Sequence, residues 1–339
     1  MPSKPSVEAA QRHVTACPET LAVRPVASEG RLGYGRTRME RAPAVDAVIV
    51  SYNNESTLPA CLAPLLDPVA VTAYVVDNAS SDGSCAVASG LRVTLFPQDE
   101  NRGFAAGCNV GWRAGAAPYV LFLNPDARLD SGSLESLRGV LEQEPAVGIV
   151  GPRIVASDGS LDFSQRRFPR LRSTYAQALF VHRLLPSAPW VDELVTDPAA
   201  YDRVGSPDWV SGACLLIRRE LLERLDGWDE DFFMYCEDKD LCRRARDAGY
   251  DVRFDPFATC IHTGGVSAPR PQLLPVLATS RIRYAAKHEG RVRSFAYRVA
   301  IAIGALTHIV AARGGVATRR GHLSALRRVV ALQRRAQPT

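Results

Sequence analysis

Six acidic side chains fall within twelve residues, from Asp229 to Asp240, interleaved with Phe232, Phe233 and Tyr235. Carboxylates beside aromatic rings are costly to fold unless they are solvated, paired or used. A carboxylate in a partly apolar pocket can take the proton of a hydroxyl, the task of a general base. Asp238 and Asp240 flank the start of a helix expected over Leu241–Ala248. The favourable placement of acids at a helix N-terminus explains one or two of the six, not all.

A second set suits anionic ligands. Asn124-Pro-Asp126 closes the apolar run Tyr119–Leu123. Its carboxylate suits a hard divalent cation, Mg²⁺ or Mn²⁺, bridging phosphates, because these ions prefer oxygen and take few ligands from protein. A simple Asn-Pro-Asp turn is the structural alternative. His262 follows a strand-like Val252-Arg-Phe254 and precedes Thr263-Gly-Gly265; imidazole is a competent metal ligand, although a lone histidine is as often structural. Asp77 can accept from a base N–H or a ribose hydroxyl, or cap the next helix, a task that fits Asp82 better. In Glu100–Asn109, Gly103 and Gly107 admit a close phosphate or ribose beside Arg102, with tight helix–sheet packing as the alternative. The chain has neither GxGxxG nor the GxxxxGK[ST] of a P-loop at these places.

These residues need a scaffold. Val45–Val50, Ala73–Val76, Arg92–Phe96 and Tyr119–Leu123 read as buried strands, and the segments between them as helices: one through Leu66 capped by Ser56, one entered through the turn at Ser80, and one over Ala105–Ala116. Strands alternating with helices at this spacing predict an α/β fold with a mostly parallel central sheet. Ligands bind at the carboxyl ends of such strands. Those ends are Ser51-Tyr-Asn53, Asp77-Asn78 and Asn124-Pro-Asp126, all polar. A helix over Ser131–Glu144 and a strand over Gly148–Val155 follow, then an irregular stretch, 160–207, that suits an acceptor-side loop.

The formal charge of +5 is unevenly spread: residues 281–339 carry +12 and the remainder −7. A basic, helical C-terminal appendage over 291–339, broken near Gly314-Gly315, points to an anionic partner such as a membrane surface. Its apolar stretch, Val299–Ala312, is about 14 residues, short of the roughly 20 that span a bilayer. Residues 1–43 read as a mobile extension without a signal-peptide core. The eight cysteines show no CxxC or zinc spacing and read as reduced thiols, so a cytoplasmic setting is expected. No nucleic-acid-reading motif accompanies the basic tail.

Taken together, Ile49–Asn53, Val76–Gly83, Asn101–Phe104, Leu123–Asp126, Trp209–Ile217, Phe232–Arg244 and His262–Gly265 resemble the family 2 glycosyltransferases, within them the bacterial rhamnosyltransferase-like group, over about 44–289. The resemblance implies a GT-A fold over 44–290 and a metal-dependent, inverting transfer from a nucleotide sugar. By it, Ser51, Asn53, Asp77, Asn78, Arg102, Gly103 and Asn124 serve the nucleotide sugar. Asp126 and His262 hold the cation, and Trp209, Ser211 and Gly212 line the acceptor side. Asp238, with Glu237 beside it, is the base. Asn124 stands where the family's DxD motif begins with Asp. The expected donor is dTDP-L-rhamnose. The expected acceptor is a saccharide or a polyprenyl-diphosphate-linked sugar in surface polysaccharide synthesis, reached by an enzyme peripheral at the inner face of the plasma membrane. A UDP-sugar hexosyl or galactosyl transferase, or a non-catalytic glycan or lipid-carrier binding protein of the same fold, are the alternatives.

Overall fold

The computed structural model describes residues 44–66, 71–185, 188, 190–264, 270–311 and 315–335. The expected N-terminal extension and Gly265 lie outside them. The strand β1 (Val45–Ser51) is followed by α1 (Leu58–Leu66), β2 (Val71–Asp77), α2 (Ser84–Ser89), β3 (Thr94–Pro97), α3 (Phe104–Ala114) and β4 (Tyr119–Leu123). Then come β5 (Ala127–Leu129), α4 (Ser133–Gln143), β6 (Val147–Val155), β7 (Leu161–Asp162) and β8 (Gln165–Arg166). After these are α5 (Leu171–Ala178), α6 (Val181–Leu184), β9 (Trp209–Val210), β10 (Cys214–Arg218), α7 (Arg219–Leu225), α8 (Glu237–Asp247) and β11 (Asp251–His262). Three long helices close the chain: α9 (Arg270–His288), α10 (Arg291–Ala311) and α11 (Gly315–Arg335).

The main sheet runs β3-β2-β1-β4-β10-β6-β11-β5, with β7 beside β6. β1, β2, β3 and β4 are mutually parallel, as are β6 and β11; β10 runs antiparallel to both of its neighbours. Alternation along β1 explains the layers. Val45, Ala47 and Ile49 join a core with Leu62, Leu137 and Leu141 of α1 and α4; Val48 and Val50 join the opposite core with Trp112 of α3 and Leu241 of α8. Both faces are covered, which is why these strands are apolar on both sides. Gly107 and Gly111 let α3 settle on β1, since a Cβ on either would strike Val50 or Val48. Gly107 therefore serves packing, not a phosphate.

The segment 160–207 is more ordered than expected. It contains α5 and α6, and Tyr297 of α10 donates its hydroxyl hydrogen to the Pro169 carbonyl just before α5. α9, not expected from sequence, shares a small core with α10 and α11 through Ala278, Ile301, Ala325 and Val329. The expected short apolar stretch sits inside a longer helix. α10 has 21 residues and an 18-residue window of mean hydropathy 1.5, long and apolar enough to cross a membrane by length and composition. One side of it is nonetheless buried in the bundle, at Tyr297, Ala300, Ile301 and Ala305. Six cysteines, at 61, 108, 214, 236, 242 and 260, are free and buried; Cys85 is disulfide-bonded, against the expectation of reduced thiols.

Candidate active site

A cavity of about 340 Å³ opens at the carboxyl ends of β1, β2 and β4. β1 lies between β2 and β4, so the chain's progression reverses there, the place where open α/β sheets bind ligands. One wall is Val50, Tyr52, Asn54 and Asn78; the next is Asn101, Gly103 and Phe104. Asn124, Asp126 and His262 form a third, and Ser211, Gly212, Glu237 and Asp238 face them.

Asp126 and His262 are brought together by pairing of β5 with the end of β11, where His262 stands opposite Ala127. The His262 Nε2 lies 3.2 Å from Asp126 Oδ1 and 3.4 Å from Asn124 Nδ2. Burial alone would disfavour an imidazolium, but the hydrogen bond and charge of Asp126 outweigh it and raise the His262 pKa above its ordinary value. No group of three or more His, Cys, Asp or Glu among the described residues could hold an ion unaided. A carboxylate and an imidazole converging on an open cavity nonetheless fit a cation that completes its shell with phosphate and water.

Asp238 and Glu237 project from the first turn of α8, which begins at Glu237, four residues earlier than expected. The entry is a sharp bend with two left-handed non-glycine residues, Tyr235 (φ 68°) and Cys236 (φ 67°). Such backbone costs of order 1–3 kcal/mol per residue and clusters at functional sites. The Gly212 N–H donates to Asp238 Oδ2 at 2.9 Å, and the Lys239 N–H donates to Oδ1 at 2.7 Å. Glu237 is buried; burial first, then the neighbouring Asp238 charge, push its carboxyl pKa well up. The other four acids of the cluster are paired: Glu230 with Arg102, Asp231 with Arg283, Asp229 with Lys287, and Asp240 with Arg244, Lys287 and His288.

Buried polar atoms without a hydrogen-bond partner gather at this cavity: Ser51 Oγ, Asn54 Nδ2, Asn78 Oδ1 and Glu237 Oε2. Since native interiors rarely orphan such atoms, a cluster of them marks a place for a ligand.

Five of the expected site residues stand off the cavity wall. Ser51 is wholly buried beneath it. Asp77 spends both oxygens on Ser80, one on its N–H at 2.9 Å and one on its hydroxyl at 2.7 Å. Asn53 accepts from the Ser81 N–H at 2.8 Å. These two residues fix the turn behind the cavity. The Arg102 guanidinium is held by Glu230 at 2.7 Å, outside the wall. Trp209 is a packing post: its N–H donates to the Arg167 carbonyl and its face carries the Lys239 ammonium. Sequence reading passed over Tyr52, Asn54, Asn101 and Leu273, which do line the cavity. Asn54 and Asn101 stood within or beside the quoted motifs; Leu273 belongs to the unforeseen α9.

Gly103 (φ 93°) is the glycine that the site does require. A Cβ there would run into the Phe233 carbonyl, to which the Phe104 N–H donates at 2.9 Å. The Gly103 carbonyl accepts from Asn78 Nδ2 at 3.0 Å.

Comparison with known proteins agrees with this geometry. Residues 46–204 match the profile of Glycosyl transferase family 2. The chain is 31% identical over 240 residues to an N-acetylglucosaminyl-diphospho-decaprenol L-rhamnosyltransferase of Mycobacterium tuberculosis, covering 65% of this chain and 76% of the relative. It is 28% identical over 148 residues to the rhamnosyltransferase WbbL of Escherichia coli, covering 42% of this chain and 52% of that protein. The mannosyltransferase PcManGT from Pyrobaculum calidifontis, solved with GDP-Man and Mn²⁺, superposes with a TM-score of 0.53 at 19% identity, covering 87% of each chain. With a GT-A architecture and a rhamnosyltransferase-like sequence, the chain belongs to the family 2 glycosyltransferases and is a glycosyltransferase enzyme.

Proposed function

We propose that the enzyme moves L-rhamnose from dTDP-L-rhamnose, with inversion, onto a hydroxyl of a saccharide carried on a polyprenyl diphosphate, a step in surface polysaccharide assembly. The observation that carries this reading is the Asp238 carboxylate, oriented by the Gly212 N–H and lining one cavity together with Asp126 and His262. The donor and carrier follow the M. tuberculosis relative, whose name specifies an L-rhamnosyl transfer onto a lipid-diphosphate sugar.

Asp238 accepts the acceptor hydroxyl proton while that oxygen forms its bond to the anomeric carbon and the bond to the diphosphate oxygen breaks. The unpartnered Glu237 Oε2 offers the acceptor end a hydrogen-bonding atom. Asn54 and Asn78 offer polar atoms to the nucleotide end. Asp126 and His262 would hold a divalent cation, which would neutralise charge on the departing diphosphate; the P. calidifontis enzyme of the same fold was solved with Mn²⁺. Holding both substrates against Asp238 supplies much of the remaining acceleration.

The basic helices suit an anionic membrane surface. α10 and α11 leave Val292, Phe295, Val310 and Val316 exposed among arginines, the mixture that favours an interfacial position.

The test is a panel of nucleotide sugars with and without Mn²⁺, read as a rise in melting temperature and followed by product NMR. A cation-dependent rise with dTDP-L-rhamnose and an inverted linkage are expected. Preference for a UDP-sugar would replace the donor, and no response to any nucleotide sugar would sink the catalytic reading.

A further inference from the structure

Behind the catalytic cavity, a second cavity of about 380 Å³ lies among α5, α9, α10 and α11. Its floor is aliphatic, with Leu274, Leu277, Ala300 and Ile301. Its polar side holds three imidazoles, His182, His308 and His322, with Thr174, Gln177, Asp192 and Arg281, whose guanidinium also lies 3.6 Å from Glu193. The His308 and His322 rings lie 5.0 Å apart, and Phe180 packs 4.5 Å from His308. His308 Nδ1 is 2.8 Å from the Gly304 carbonyl, so it donates there and leaves Nε2 for something else. His182 Nδ1 is buried with no partner. Burial, and then the neighbouring His308, hold the His322 pKa below its ordinary value.

The lining selects a ligand class. A metal ion is disfavoured, because no three His, Cys, Asp or Glu among the described residues converge on one point. A sugar is disfavoured because no Trp, Tyr or Phe lines the cavity and its one carboxylate, Asp192, already accepts from Gln177 and the Leu194 N–H. Imidazoles and a guanidinium over an aliphatic floor suit a phosphate attached to a hydrocarbon chain.

Position supports the same conclusion. Leu273 lines the catalytic cavity while Leu274 and Leu277, on the same helix, line this one. A ligand here is one helix away from Asp238. α10, which turns His308 inward, leaves Leu306 (50% exposed) and Val310 (83%) outside, and α6, which carries His182, leaves Leu184 81% exposed.

We propose that this cavity is a carrier site: it binds the phosphate end of a lipid-linked acceptor and the first part of its chain, so that the sugar it carries reaches Asp238. The inference rests on the lipid-linked acceptor reading given above.

The test uses the full chain and farnesyl diphosphate as the probe, by calorimetry. Saturable binding is expected, at least tenfold tighter than that of inorganic diphosphate or farnesol, and weakened tenfold or more by His308→Ala and by His322→Ala. Equal binding of inorganic diphosphate would make this a free-anion site and overturn the carrier role; binding unchanged in both variants would place the probe elsewhere. Nucleotide-sugar binding on the same samples reports folding and separates the two readings. Its presence without farnesyl diphosphate binding would remove the carrier site alone, and its absence from the wild type would remove the transferase reading. A measurement without substitution stands beside these: the His308 and His322 imidazole resonances of the wild type should shift on adding farnesyl diphosphate, and unmoved resonances would overturn the assignment.

Discussion

Replacing Asp240 by Asn should strip α8 of its anchor. Asp240 is wholly buried and receives Arg244 at 2.7 Å, Lys287 at 2.8 Å and His288 at 2.7 Å. Burial opposes its charge, but the His288 hydrogen bond and the Arg244 and Lys287 partners win, and its carboxyl pKa falls from 3.8 to about 2. That difference is worth about 2 kcal/mol of folding stability near pH 7. An amide leaves the three cationic partners with a carbonyl alone, and breaking buried pairs costs about 3–5 kcal/mol. A loss of about 2–4 kcal/mol is therefore expected, or roughly 3–6 °C in melting temperature for a chain of this size. Because the native pKa is depressed, the contribution is complete above the ordinary carboxylate range and disappears as pH falls through about 2. Urea unfolding of wild type and variant should give midpoints that differ near pH 7 and draw together as the acid limb is descended. A cost below about 0.5 kcal/mol, or a gap that ignores pH over that limb, would refute the assignment of Asp240 as an ionised buried anchor.

Asp238→Asn should lower kcat by about 10²–10⁴ with donor affinity intact; near-normal turnover would remove it as the base. A chelator, or Asp126→Ala, should slow transfer and abolish the cation-dependent part of nucleotide-sugar binding measured by calorimetry; indifference to both would sink the cation site. Gly103→Ala should destabilise the fold by about 2 kcal/mol or more, through the left-handed backbone and the collision with Phe233; a neutral effect in urea unfolding would show that the 101–104 loop yields freely. Reversing Arg319, Arg320, Arg327 and Arg328 to Glu should weaken binding to phosphatidylserine vesicles, most at low salt, by about 1 kcal/mol for each charge near the surface. Sedimentation that does not change would refute contact through α11.

The parallel strands were legible because burial on both faces leaves a run such as Val45–Val50 apolar except at Asp46, which is buried against Arg219 at 2.7 Å. What sequence could not supply was direction and partnership. Cys214-Leu-Leu-Ile217 is apolar, yet nothing in it says that β10 runs antiparallel between β4 and β6. α9 escaped notice because Pro275 and scattered arginines interrupt its pattern, and it is held from outside, by Ser280 donating to the Met234 carbonyl and by its shared core with α10 and α11. α5 has weak helical character of its own and packs beside α10, to which Tyr175 donates at the Ala296 carbonyl. In the site, residue types pointed to the right region, but orientation came from tertiary contacts. Asp77 and Trp209, within the motifs, hydrogen-bond to Ser80 and to the Arg167 carbonyl, while Asn54, immediately after Ile49–Asn53, lines the cavity.

The insertion of β10 between two earlier strands has a consequence for the life of the polypeptide before it is finished. Until residue 218 has left the ribosome, β4 and β6 have no strand between them, and each presents an open edge to whatever is nearby. The wall that carries Ser211, Gly212 and the Asp238 helix does not exist before then, and His262 arrives later still. A growing chain that has made β1 to β4 carries Asn54, Asn78 and Asn124 but not yet Asp238, the proposed base. Catalytic competence thus arrives at one late moment of synthesis, and the same interval is when the unfinished sheet most needs protection from aggregation.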